Sequence, residues 1–252
     1  MVASFIESGF TTKTEYEAWV ASGAGGSAGG SGATLKVYYW PFMIRSAPLV
    51  RMLEHTSTPY EHIGPPDLMA LGSAWGGTGC NFAPPIVVDG DYKVSQSVAC
   101  SLYVGKRTGL IPKKFDECLA VQFMGDIVDT FENNLGKNNE QGPTLKKFLT
   151  GERWPKLLAN IERAIVGPYY FGDEPSCVDF FLLGHVDWRN TGMFDRLMKE
   201  KGLGDWLAAC PKIKALTAAL RAAPGYKNYS GKLAIVMPSM LIKDEVLASY
   251  DA

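Results

Sequence analysis

At 252 residues, 46% hydrophobic and 20% charged, the chain has the composition of an ordinary globular protein, long enough for one compact unit or two small packed domains. Its net charge of −1 excludes a broad electrostatic footprint for nucleic acid or an anionic membrane surface, and no stretch is apolar enough to read as a membrane span. Five cysteines, Cys80, Cys100, Cys118, Cys177 and Cys210, form no C-x-x-C pair and have no metal-ligand spacing with the three histidines, so they read as free thiols in a reducing compartment with no metal.

The first ten residues lack the basic flank and long apolar run of a secretory leader, and the expected location is cytoplasmic. Residues 14–20 form a short amphipathic candidate helix with Tyr16, Trp19 and Val20 near one side, either resting on the domain's own surface or docking a partner. Residues 22–33 are almost wholly Gly, Ala and Ser and predict a flexible tether. Residues 1–33 therefore read as an extension and tether.

Residues 35–39 predict a strand, followed by a loop through Trp40, Pro41, Phe42 and Met43. A helix then carries Leu49, Val50, Met52 and Leu53, with Pro48 suited to its first turn. A second strand spans 60–63, and residues 64–82 read as irregular. Two further strands, 86–88 and 92–94, flank an Asp89-Gly90 turn, and a helix opens at Ser97 and runs through Val104. The prolines before the third strand belong to the loop that feeds it, and Ala83-Pro84 is the candidate cis bond. Strand, helix, strand, hairpin and closing helix predict a thioredoxin-like α/β domain over 34–108. Gln96 and Ser97 stand at the positive end of its last helix, where backbone donors and a hydroxyl can hold a carboxylate.

From residue 116 to 252 helical apolar spacing takes over, predicting an all-helical domain. A polar loop is expected over 133–143, then helices over 144–149, 154–166, 193–201, 206–210 and 213–222. Ser176 and Asp179 form a capping box at the head of a buried helix carrying Phe180 to Leu183. His185, with Asp187 nearby, reads as a structural histidine on that helix.

A proline before a hydrophobic strand, the run Asp89-Gly90-Asp91-Tyr92-Lys93-Val94-Ser95-Gln96-Ser97 and the run Phe171-Gly172 to Asp179-Phe180 resemble the cytosolic glutathione transferases, and the first looks closest to the mu and sigma classes. The resemblance covers residues 35–229. It implies a glutathione site in which Gln96 and Ser97 hold the γ-glutamyl end. The backbone before the cis proline, Phe82 and Ala83 ahead of Pro84, pairs with the cysteinyl part. Residues 39–56 match the family segment without a gap, placing Tyr39 on the catalytic position, where a hydroxyl aimed at sulfur favours the thiolate nucleophile. Tyr38 points to the other face of the strand. The loop departs from the family's Arg-Gly, with Met43-Ile44 in its place and Arg45 displaced. Trp40 and Trp75 fall at the glycyl end, and Asp129, with Asp126 as the alternative, on the position that supplies a carboxylate to a neighbouring subunit's glutathione. The electrophile would sit among Phe42, Phe123 and Phe131. The implied function is a homodimeric glutathione transferase that conjugates or isomerises small hydrophobic electrophiles with glutathione as co-substrate. The alternative is a non-catalytic scaffold or binding subunit that attaches to an assembly through its extension.

Overall fold

Leu35 and Val37 face inward and alternate with half-buried Lys36 and Tyr38, the two-residue period of a strand with one face on a core. In the computed structural model, which describes residues 34–77, 81–228, 233–236 and 241–252, this strand, β1 (Leu35–Tyr38), lies inside a four-stranded sheet. It pairs in parallel with β2 (Tyr60–Ile63) and antiparallel with β3 (Ile86–Asp89), which forms a hairpin with β4 (Tyr92–Ser95), giving the order β2-β1-β3-β4. The extension, its amphipathic segment, the tether and Cys80 lie outside the described residues.

Helix α1 (Ala47–His55) crosses from β1 to β2 with Pro48 in its first turn. Helix α2 (Asp67–Leu71) and a 3-10 turn (Ser73–Trp75) occupy part of the stretch expected to be irregular, and α3 (Ser97–Thr108) closes the α/β unit. Residues 109–116 lead to α4 (Glu117–Val128), which runs through a π-helical turn, Asp129–Asn134, into α5 (Leu135–Asn138). The polar loop expected from residue 133 thus begins later. Thr130 and Asn134 bond back to carbonyls four and five residues earlier and hold the helix together there. The helical half continues with α6 (Gly142–Thr150), α7 (Arg153–Ala164), α8 (Cys177–Arg189), a second π turn at Asn190–Phe194, α9 (Asp195–Lys201), α10 (Pro211–Ala222), α11 (Pro224–Asn228) and α12 (Asp244–Ala248). Residues 206–210, expected as a helix, are turns instead. Pro211 follows them at the first position of α10, and Gly202 and Gly204 adopt positive φ before them, leaving too few residues for a stable helical run.

Helix α8 is buried on all sides, which explains why it lacks an amphipathic pattern. The capping box expected at its head is present. Asp179 accepts from the Ser176 amide at 2.7 Å and hydroxyl at 2.5 Å, and its other oxygen accepts from the Tyr170 amide at 2.9 Å. Burial pushes the Asp179 carboxyl up to about 6 against the pull of these donors. The box therefore ties the 169–172 turn to α8. Asp179→Ala leaves two buried amides without acceptors and should lower unfolding free energy by about 2–5 kcal/mol in a urea titration; Asp179→Asn should cost less. Equal, small losses for both would contradict this bonding scheme.

Candidate active site

Tyr39 leaves the end of β1 with its amide still donating to the Ile63 carbonyl at 3.0 Å. Its ring is buried, packed edge-to-face on Phe42 at 5.7 Å and enclosed by Ile44 and Val236, with Trp40 and Trp188 alongside. The Arg45 amide donates to its hydroxyl oxygen at 3.4 Å. Burial, joined by the charge of Glu132, outweighs the Arg45 amide and guanidinium and pushes the phenol up to about 12. The hydroxyl is therefore a neutral group whose oxygen is engaged and whose proton remains to be donated.

The loop that holds it is strained. Ile44 has φ of 33°, an uncommon conformation for a β-branched residue, and opens a 3-10 turn, Ile44–Ser46. Two outside contacts hold it there: the Met43 and Ile44 amides donate to the carbonyls of Ala234 and Ile235 at 2.8 and 3.2 Å. The segment 233–236 thus runs over the loop as a short parallel bridge.

Beneath the loop lies a charge cluster. Arg45 pairs with Glu132 at 2.5 Å, and the His185 Nε2 lies 3.7 Å from the other Glu132 oxygen. Arg189 lies flat on Trp188, its guanidinium carbon 3.9 Å from the ring centre, and donates to the Phe131 carbonyl. Burial and two arginines hold the His185 imidazole down at about 3, so it is neutral, while burial raises the Glu132 carboxyl. Glu132, Trp188 and Arg189 were not singled out from sequence. The signal available was helical spacing, since Glu132 stands three residues beyond Asp129.

The rest of the expected site divides. Gln96 takes φ of 76° and exposes its side chain beside buried Ser97, the first residue of α3. The cis bond is Pro84-Pro85, not Ala83-Pro84, so the residue before the cis proline is Pro84, which has a carbonyl but no amide hydrogen. Ala83 is half-buried one residue earlier, and Phe82 is 52% exposed with its carbonyl accepting from the Ala74 amide. Trp40 packs against the Tyr39 cluster, whereas the Trp75 side chain lies outside the described residues. Asp129 is exposed and bonded to Asn133 at 2.7 Å, and Asp126 accepts from Asn160 at 3.1 Å. Phe42 lines the Tyr39 cluster as expected, but Phe123 and Phe131 do not. Phe123 packs on Tyr170 and Phe171, and fully buried Phe131 is wedged among Trp154, His185 and Trp206, because their side of α4 and of the π turn after it faces the helical core.

Residues 125–232 match the family model of the glutathione S-transferase C-terminal domain. Among solved structures the chain is similar to prostaglandin synthase D of Nilaparvata lugens, with a TM-score of 0.56 and 20% identity over 77% of this chain and 96% of that one. It is also similar to a Pi-class glutathione S-transferase of Onchocerca volvulus, with a TM-score of 0.59 and 16% identity over 81% and 98%. A third is a glutathione transferase family member from Pseudomonas fluorescens with two glutathione molecules bound, at 0.56 and 18% over 76% and 90%. The fold is that of the glutathione transferases. No curated protein sequence matches the chain. Among the described residues no helix is long and apolar enough to cross a membrane.

The glutathione transferase-like fold thus places a neutral histidine beside the Arg45–Glu132 pair, and its pH dependence follows. His185 takes up a proton near 6.5 when unfolded but only near 3 when folded, so the unfolded state binds more protons below 6.5. Stability is retained above that value and lost as pH falls. Between pH 7 and 5 this group alone should remove about 2 kcal/mol, and His185→Gln should flatten that part of the profile by a similar amount. Identical slopes in both proteins, measured by denaturant titration at each pH, would show that His185 titrates in the fold as it does in the unfolded chain.

Proposed function

We propose that this protein is a tyrosine-type glutathione transferase, with glutathione as co-substrate, that adds the thiolate to small, largely apolar electrophiles or isomerises them. The observation that carries this reading is the Tyr39 hydroxyl. It is neutral, its oxygen accepts from the Arg45 amide, and its proton is available to a sulfur placed before it. A hydrogen bond from that phenol to the glutathione sulfur favours the charged form, the thiol proton passes to solvent, and the thiolate attacks. In conjugation a carbon–sulfur bond forms as the electrophile's leaving group departs or its double bond takes a proton.

Gln96 and Ser97, at the start of α3, would hold the γ-glutamyl carboxylate with a helix N-terminus and a hydroxyl. Pro84 would offer the cysteinyl backbone its carbonyl alone, so cysteinyl recognition rests on one bond where an ordinary residue would make two. Trp40 and Trp75 belong to the glycyl side, and in a cytoplasmic homodimer Asp129 faces the partner's glutathione. Closure of residues 233–236 over Tyr39 favours one alternative, a non-catalytic scaffold that keeps the fold with its site covered.

Glutathione distinguishes the two. At a hundredfold its dissociation constant it should stabilise the folded chain by about 2.7 kcal/mol, raising the thermal midpoint by about 5–10 °C. Tyr39→Phe should keep that shift but slow conjugation at neutral pH by about ten- to a thousandfold. No shift at millimolar glutathione would remove the enzyme reading and leave the scaffold.

A further inference from the structure

A cavity of about 230 Å³ lies behind the Tyr39 cluster, between the end of α5, the end of α8 and residues 241–243. Trp188 connects the two, with one side against the cluster of Tyr39, Phe42 and Ile44 and its ring also lining the cavity. Met193, Leu241 and Ile242 form apolar wall, and the Ile242 amide donates to the Gly192 carbonyl at 2.8 Å, anchoring the strand of chain that closes one side.

The charge in the wall is unusual. Arg189 is only 6% exposed and lines this cavity. One amino group donates to the Phe131 carbonyl, the guanidinium face rests on Trp188, and Nε has no partner. Among the described residues no carboxylate lies within 4 Å of it; Glu132, whose charge reaches it from farther away, pairs with Arg45 through one oxygen and leaves the other without a hydrogen-bond partner. His185 adds no charge of its own, and at the mouth Glu140 and Lys243 oppose each other. A buried guanidinium with no carboxylate in direct contact is costly, and a bound anion lowers that cost by charge-assisted bonds. The π turn Asn190–Phe194 supplies Gly192 and Met193 to the wall, and the π turn Asp129–Asn134 supplies the Phe131 carbonyl that holds Arg189; such distortions are frequent at functional sites.

We infer that this cavity is a carboxylate subsite, in which Arg189 binds the carboxylate of an aryl or alkenyl electrophile whose reactive carbon lies toward Tyr39. Trp188, beside the guanidinium it carries, then borders the apolar body of the same molecule, and at the entrance Glu140 and Glu245 offset Lys243, so Arg189 is the cation that selects the anion. The inference rests on the transferase reading for the word electrophile, but the anion subsite itself does not depend on glutathione.

The test separates these two. In calorimetric titrations of the full chain without glutathione, 2-naphthoate should bind at least tenfold more tightly than the neutral isostere 2-naphthamide. Arg189→Met should abolish that preference and Arg189→Lys should restore part of it, with thermal melts confirming that each variant is folded. Equal affinity of the wild type for naphthoate and naphthamide would overturn the subsite without any variant. So would an undiminished preference in folded Arg189→Met. In the second arm, 4-chloro-3-nitrobenzoate should be conjugated with at least tenfold higher kcat/KM than its methyl ester, and Arg189→Met should raise KM for the acid far more than it lowers kcat. Conjugation that favours the ester would overturn the substrate class. Naphthoate preference in a protein with no glutathione-induced thermal shift would uphold the subsite while the transferase reading fails.

Discussion

Helix α8 can lie against α1 because residue 184 has no side chain. A Cβ on Gly184 would stand 2.9 Å from the Pro48 ring carbon and 3.2 Å from the Ala47 methyl, closer than packed atoms tolerate. This contact joins the two halves of the molecule, and the loop after Tyr39 hangs from it, since Ala47 and Pro48 directly follow residues 40–46. A second fastening lies one turn along α8. Asp187 accepts two bonds from Arg221 at 2.7 and 2.9 Å and one from the Tyr226 hydroxyl at 3.0 Å, and Arg51 of α1 sits 3.9 Å from the same carboxylate and 3.7 Å from the Tyr226 ring centre. With α1 fixed at Gly184 and at Asp187, the loop carrying Arg45 is delivered onto Glu132 of the π turn. The position of Tyr39 is therefore set by interdomain packing rather than by its own strand alone.

That placement brings three basic side chains and one acid together in a largely dry space. The interior tolerates this by keeping His185 neutral and pairing Arg45 with Glu132, so that among the described residues Arg189 has no carboxylate in direct contact. Arg45 is close enough to Tyr39 to oppose the burial that keeps its phenol neutral, so positive charge bears on that hydroxyl. The strained Ile44 and the contacts of residues 233–236 hold the loop over this cluster, linking the carboxy-terminal segment to access at the site.

The sheet, the capping box and the helical second half were legible because each leaves a local mark. Alternating Leu35 and Val37, the Asp89-Gly90 turn, and Ser176 three residues before Asp179 are short-range signals that tertiary packing does not override here. The cis bond was misplaced by one residue because two successive prolines offer two sites, and the local sequence does not choose between them. Phe123 and Phe131 were assigned to the electrophile pocket because their spacing marks an apolar helix face without saying which neighbour it meets. Glu132 and Arg189 were invisible for a related reason. A charged residue on a helix reads as solvated until the fold closes over it, and each acquires its meaning only from partners 87 and 58 residues away in sequence, Arg45 and Phe131.

The central claim is that the Tyr39 hydroxyl donates to the sulfur of bound glutathione. Ultraviolet titration of the thiolate in the binary complex reads that bond directly. The account predicts a midpoint at least about one unit below that of the free thiol in the wild type, a difference worth about 1.4 kcal/mol, and its return toward the free value in Tyr39→Phe. A bound thiol that titrates like free glutathione in the wild type, or a lowered midpoint that survives intact in Tyr39→Phe, would contradict it.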